Sequence, residues 1–161
     1  MSNARLSVVH DPDEVTIQPI LEGLHRFGVE AIGGIEPKKL AVLLTIAGQT
    51  IGGAAGQEVK GYFYLGHLWV IAAERSRSYG SQLLAAIEAE AFAMGCSEVR
   101  LDTMNSNSIP FYKRHGYEAY AQVPEYIPGF TKVFLRKIKD KSDIGVAPTR
   151  PRAAHPGRTA P

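Results

Sequence analysis

The chain has 161 residues, 45% apolar and 21% charged, the proportions of an ordinary soluble domain, and its single cysteine, Cys96, excludes an internal disulfide. No apolar run approaches the roughly 18 residues of a membrane span, and the N-terminus lacks the apolar core of a secretory signal, so a cytoplasmic location is expected. Residues 1–139 carry 14 Lys+Arg and 14 Asp+Glu, which leaves the body neutral and without the basic face of a nucleic-acid binder.

In chain order, Leu6–Val9 is a short apolar run ended by Asp11-Pro-Asp, which predicts a strand followed by a helix cap. Ile17, Ile20, Leu21, Leu24 and Phe27 then recur at helical spacing, and the stripe stops at Gly28. Leu40–Ile46, Ile51–Val59 and Tyr62–Ile71 are strand-like runs joined by tight turns, an antiparallel meander.

Helical spacing returns at Leu83, Leu84, Ile87, Ala91 and Met94, and Gly95 marks the end. Val99–Met104 reads as a strand and Ile109–His115 as a short helix stopped by Gly116. Tyr117–Val123 and Thr131–Ile138 close the domain as strands, with Pro124–Gly129 as a loop between them. The order predicts an α+β domain over residues 1–139, with helices covering a largely antiparallel sheet. From Asp140 the chain has four prolines in its last fourteen residues and no aromatic, so residues 140–161 read as a disordered tail.

The segment from Leu68 to Leu84 carries the chemistry. A strand runs into a polar loop, Arg75-Ser-Arg-Ser-Tyr-Gly-Ser81, which opens directly into a helix. First-turn amides have no partner within the helix and the dipole adds positive potential, so such a turn suits a phosphate or pyrophosphate. Arg75 and Arg77 add cationic donors. On the residues alone, a tight turn with arginines facing water accounts for the segment equally well. The G-x-x-x-x-G-K-[ST] and G-x-G-x-x-G loops are both absent.

Arg75-Ser-Arg-Ser-Tyr-Gly80 resembles the acetyl-CoA motif of the GNAT superfamily, [QR]-x-x-G-x-[GA], with Ser78 where glycine is usual. Asn105-Ser-Asn-Ser-Ile-Pro-Phe-Tyr-Lys-Arg-His-Gly-Tyr117 resembles the family's N-x-x-[AS]-x-x-[FL]-Y-x-x-x-G-[FY] element. The resemblance is strongest over residues 68–117 and extends from about 37 to 138. It implies a GNAT-like mixed sheet whose central strands splay to admit acetyl-CoA as co-substrate of an N-acetyltransferase. It places Leu68, Trp69, Val70, Arg75, Ser76, Arg77, Ser78, Tyr79, Gly80, Ser81 and Asn105 on the cofactor, and Tyr112 as general acid to the departing CoA thiolate. Ser78 in place of glycine implies a restricted backbone angle and slightly weaker cofactor affinity.

The acceptor side is less determined. His67 lies one residue before Leu68-Trp-Val, and strand alternation puts it on the face of Leu65 and Trp69. An imidazole there is either a general base or a half-buried strand histidine. Asp102, on the neighbouring strand, suits holding a cationic amine. The acceptor is a small-molecule or peptide amine, with no metal expected and a homodimer as the family-level assembly. Two other functions fit parts of the pattern: a non-catalytic acyl-CoA sensor, and a small nucleotide-binding module using the Arg75–Ser81 loop.

Overall fold

A computed structural model describes residues 4–31 and 33–140. Helix α1 (Glu14–Ala31) is followed by strands β1 (Lys38–Ile46), β2 (Gln49–Val59) and β3 (Tyr62–Val70). A 3-10 turn (Ala72–Glu74) leads to helix α2 (Tyr79–Ala93) and strand β4 (Glu98–Thr103). A second 3-10 turn (Ser106–Ser108) precedes α3 (Ile109–Arg114), and β5 (Glu118–Ile127) and β6 (Phe130–Ile138) close the domain. The α+β class therefore holds. The six strands form one sheet in the order β1-β2-β3-β4-β6-β5, antiparallel except for β3 beside β4.

The core lies between the sheet and α2. Leu83, Leu84, Ile87 and Ala91 of α2 are buried against Ala54, Phe63, Leu65, Val99, Leu101 and Leu135. Leu84, Ile87 and Phe63 are fully hidden from solvent, so truncating any of them to alanine costs about 2–5 kcal/mol. Gly95 (φ +94°) ends α2 as expected, because a left-handed residue there closes the helix without steric cost.

Four expectations change. Leu6–Val9 forms no strand, and Leu6 is fully exposed: without a neighbouring edge a short apolar run has no ladder to join. Helix α1 passes through Gly28 and reaches Ala31, Gly28 being a tolerated interior glycine, and the helix buries none of its residues. Ile20, Leu24 and Phe27 stay about two-thirds exposed, so α2 and not α1 covers the sheet. Finally, the strand after Tyr117 continues through Pro124 to Ile127. Proline is accommodated because β5 is an edge strand with a register irregularity between Val123 and Ile127. The predicted tail, apart from Asp140, lies outside the described residues.

Two features of β3 set up the site. Its parallel pairing with β4 covers only Tyr62–Tyr64 opposite Glu98–Arg100, after which the strands part. On its other side, β3 stays paired with β2 as far as Val70, with a bulge at Gly66: Gly56 pairs with Leu65 and Ala55 with His67. The extra residue reverses the side-chain parity. Phe63 and Leu65 are buried, and beyond the bulge Leu68 and Val70 are partly buried against the core. His67 and Trp69 face out on the opposite side, so His67 shares a face with Trp69 but not with Leu65, correcting the plain alternation.

Candidate active site

The Arg75–Ser81 loop begins where β3 ends. The guanidinium Nε of Arg75 donates to the Val70 carbonyl at 3.1 Å, tying the loop to the strand end. Arg77 pairs with Glu74 at 3.4 Å. Ser76 (φ +68°) and Ser78 (φ +60°) both take the left-handed conformation on either side of Arg77. Turns of that kind make the backbone concavities that receive anions. A non-glycine residue there costs about 1 kcal/mol, which answers the question raised by Ser78: the serine adopts the angle glycine would have supplied.

Helix α2 starts immediately afterwards. Its first intrahelical bond runs from the Gln82 amide to the Ser78 carbonyl, so the amides of Tyr79, Gly80 and Ser81 precede the hydrogen-bond ladder. The Ser78 hydroxyl makes no capping bond to them. Val70, Arg75, Ser76, Ser78, Gly80 and Ser81, with Glu74, Tyr79 and Phe111, line a cleft of about 310 Å³. Gly80 faces Phe111, whose ring lies 3.6 Å from where a β-carbon would be. The sequence singled out all of these as site residues but Glu74 and Phe111; a spacing motif says nothing about which side chains of a later helix fold over it.

Asn105 lies at a second cavity of about 880 Å³, formed where β4 ends and lined also by Asp102, Asn107, Ile127, Phe130 and Val133. Its side-chain oxygen accepts the Asn107 amide at 3.1 Å, and its own amide donates to the Thr103 hydroxyl at 3.0 Å. These bonds fix the turn into α3.

Helix α3 delivers Tyr112 to the core side of the sheet. Its ring packs edge-on against Phe111 (5.2 Å) and Tyr117 (5.6 Å). Burial pushes its phenol above the ordinary tyrosine range, so the hydroxyl keeps its proton at neutral pH. His115 donates from Nδ1 to the Phe111 carbonyl at 2.8 Å, a local helix-end contact.

His67 lines a shallow cavity of about 550 Å³ on the opposite, outward face, together with Lys39, Ala41, Ala55, Gln57 and Tyr64. Asp102 lies on that face too, but it is already engaged. One carboxylate oxygen accepts the Tyr64 hydroxyl and the other pairs with Lys132 at 3.1 Å. Lys132 thus supplies the positive charge expected of an acceptor amine. Tyr64 and Lys132 went unnoticed in the sequence, where nothing marks two residues 68 positions apart as sharing a carboxylate. Among the described residues, no group of three or more His, Cys, Asp or Glu could hold a metal ion, and no helix is long and apolar enough to cross a membrane.

Comparison with known proteins agrees with this fold. The signature of the Acetyltransferase (GNAT) family matches residues 21–117. A blasticidin-S acetyltransferase from Streptomyces morookaense is 33% identical over 142 residues, covering 85% of this chain and 98% of that protein. A crystal structure from Agrobacterium tumefaciens, assigned as an acetyltransferase, superimposes with a TM-score of 0.73 at 26% identity, over 86% of this chain and all of that one. The same fold, at TM-score 0.59 and 18% identity over 65% of each chain, occurs in a protein of Bacillus anthracis assigned as a streptothricin acetyltransferase and solved with acetyl coenzyme A. The family match spans more than half of the chain, and the chain belongs to the GNAT family of acetyltransferases.

Proposed function

We propose that the protein transfers the acetyl group of acetyl coenzyme A to a primary amine by direct attack, with Tyr112 as general acid and His67 as the base on the acceptor side. The observation that carries this reading is the fork between β3 and β4, which opens beside the anion-suited start of α2.

The residues present fit the donor. Arg75 and the amides of Ser76 to Ser81 suit its pyrophosphate, and the cleft they line reaches Val70 at the end of β3. Beyond Tyr64 the β4-facing edge of β3 has no strand partner, so backbone groups of Leu68, Trp69 and Val70 are placed to bind an extended arm. Bound there, acetyl coenzyme A supplies an activated thioester carbonyl. A fixed amide donor to that carbonyl oxygen contributes roughly 3 kcal/mol in the transition state.

Tyr112 and His67 occupy opposite faces of the sheet, one on the core side with α2 and the other on the outward face. A thioester lying in the fork would therefore meet a proton donor from one side and an amine with its base from the other. Tyr112 holds a proton at its phenol oxygen for the departing sulfur, and His67 takes one from the amine directly or through water.

The relative named for blasticidin S directs the choice of acceptors. The test is release of free CoA from acetyl-CoA over a panel containing blasticidin S, aminosugars, polyamines, amino acids and peptide N-termini. Turnover with at least one amine supports the reading. Tight acetyl-CoA binding with no turnover over the whole panel would make the protein an acyl-CoA sensor instead.

A further inference from the structure

The outward face of the sheet carries a polar chain at the level where β3 and β4 part. Tyr64 is the last residue of β3 in register with β4, opposite Arg100. Asp102, two residues further along β4 on the same face, no longer has a β3 partner in the ladder. Its side chain bridges the gap nonetheless. The Tyr64 hydroxyl donates to one carboxylate oxygen, and Lys132 of β6 forms an ion pair with the other at 3.1 Å. Lys132 also lies 4.1 Å from the centre of the Tyr126 ring on β5. The chain thus runs across β3, β4, β6 and β5.

The position within the sheet gives the contact its meaning. Main-chain bonds hold two parallel strands together through Tyr64, and side chains must do so beyond it. The Asp102 side chain is only 17% exposed, and that of Lys132 18%, so both groups are largely shielded from solvent that would weaken the pair. Charge-assisted bonds of this kind are stronger than neutral ones and hold a geometry more firmly.

We infer that Tyr64, Asp102 and Lys132 form a strut that fixes the opening of the β3–β4 fork, and so act as positioning residues for the donor's arm. The inference rests on acetyl-CoA lying in that fork. It gives Asp102 a different role from that of an amine ligand, and the two roles separate in measurement. A strut acts on the donor; an amine ligand acts on the acceptor.

The experiment measures acetyl-CoA binding by calorimetry and both Michaelis constants for Tyr64→Phe, Asp102→Ala, their double variant and Lys132→Met, after circular dichroism and melting curves. Loss of one charge-assisted hydrogen bond should raise the acetyl-CoA Kd by roughly tenfold in Tyr64→Phe and in Asp102→Ala. The double variant should be no worse than Asp102→Ala alone, because Tyr64→Phe removes a contact that Asp102→Ala has already removed. Lys132→Met, which leaves the Tyr64–Asp102 bond in place, should weaken binding less. Unchanged acetyl-CoA affinity in Tyr64→Phe overturns the inference, even if its melting temperature falls. Additive losses overturn it as well, as does a rise in the amine KM alone in Asp102→Ala. If Asp102→Ala does not fold, Tyr64→Phe and Lys132→Met decide. A wild type that binds no acetyl-CoA overturns the donor site and the strut together. Unchanged affinity in Arg75→Ala, with the strut variants weakened, overturns only the loop assignment.

Discussion

Gly52 of β2 packs directly against the main-chain carbonyl of Trp69 in β3: a β-carbon at position 52 would stand 2.8 Å from that oxygen and 3.3 Å from a Val70 methyl. Backbone is the nearest neighbour, so no flexible side chain can yield. Gly52→Ala must push β3 away from β2 in the stretch that ends at the Arg75–Ser81 loop. Overpacking of this kind costs about 1–3 kcal/mol, read as a lower midpoint in urea denaturation. Unchanged stability would mean that the two strands separate more easily than their pairing implies.

The Arg75–Ser81 loop gives two opposed expectations. Arg75→Ala removes the side chain that bonds the Val70 carbonyl and lines the cleft, and should weaken acetyl-CoA binding. Gly80→Val should weaken it too, since a methyl fits 3.6 Å from Phe111 but a second branch crowds the cleft. Ser78→Gly should do the reverse. It relieves a left-handed serine worth about 1 kcal/mol, partly offset by glycine's greater freedom in the unfolded chain. A small rise in melting temperature and no loss of acetyl-CoA affinity are expected. A destabilised Ser78→Gly would show that the hydroxyl, not the backbone angle, matters there.

For Tyr112→Phe, kcat should fall by roughly 100-fold if proton donation limits the rate, with acetyl-CoA affinity little changed. The ring stays, so its edge contacts with Phe111 and Tyr117 stay too. Full kcat in this variant would return Tyr112 to a packing role.

Alkaline stability isolates Tyr64. Partial burial, then the hydrogen bond to Asp102, raises its phenol from 10.0 to about 12. Folding therefore favours the neutral phenol. That contribution is complete below pH 10 and is lost as pH rises through about 12. Denaturation curves should show the difference between wild type and Tyr64→Phe shrinking over this window. A constant difference would mean that the Tyr64 phenol is not held neutral by the fold.

Much of this was legible in the sequence, for definable reasons. Helix α2 and its glycine stop follow from periodicity and from the one residue type that tolerates φ near +94°. The loop Arg75–Ser81 could be placed because a strand-to-helix turn is local. What the sequence did not carry was non-local or irregular. The bulge at Gly66 depends on how β2 meets β3, and it alone decides which face His67 takes. Proline at 124 signals a break, yet an edge strand with shifted register absorbs it. The Tyr64–Asp102–Lys132 contact needs three strands to be assembled before any of its members has a partner.

The base on the acceptor side is the last point that can be tested directly. His67 faces outward beside Tyr64 and Gln57, across the sheet from Tyr112, with the fork beginning one register step beyond Tyr64. A base must be neutral to accept a proton, so protonation of the imidazole would silence it. Rate should then rise with pH along an acidic limb governed by that proton. Removing the imidazole should remove the limb as well as lower the maximum. Glutamine keeps the polar, outward-facing character of the position without the titration. His67→Gln is therefore expected to lower kcat, leave acetyl-CoA affinity unchanged and flatten the acidic limb of the kcat–pH profile. Should that limb survive intact with only a scaled-down rate, His67 contributes packing or hydration, and the proton leaves the amine by another group or directly to water.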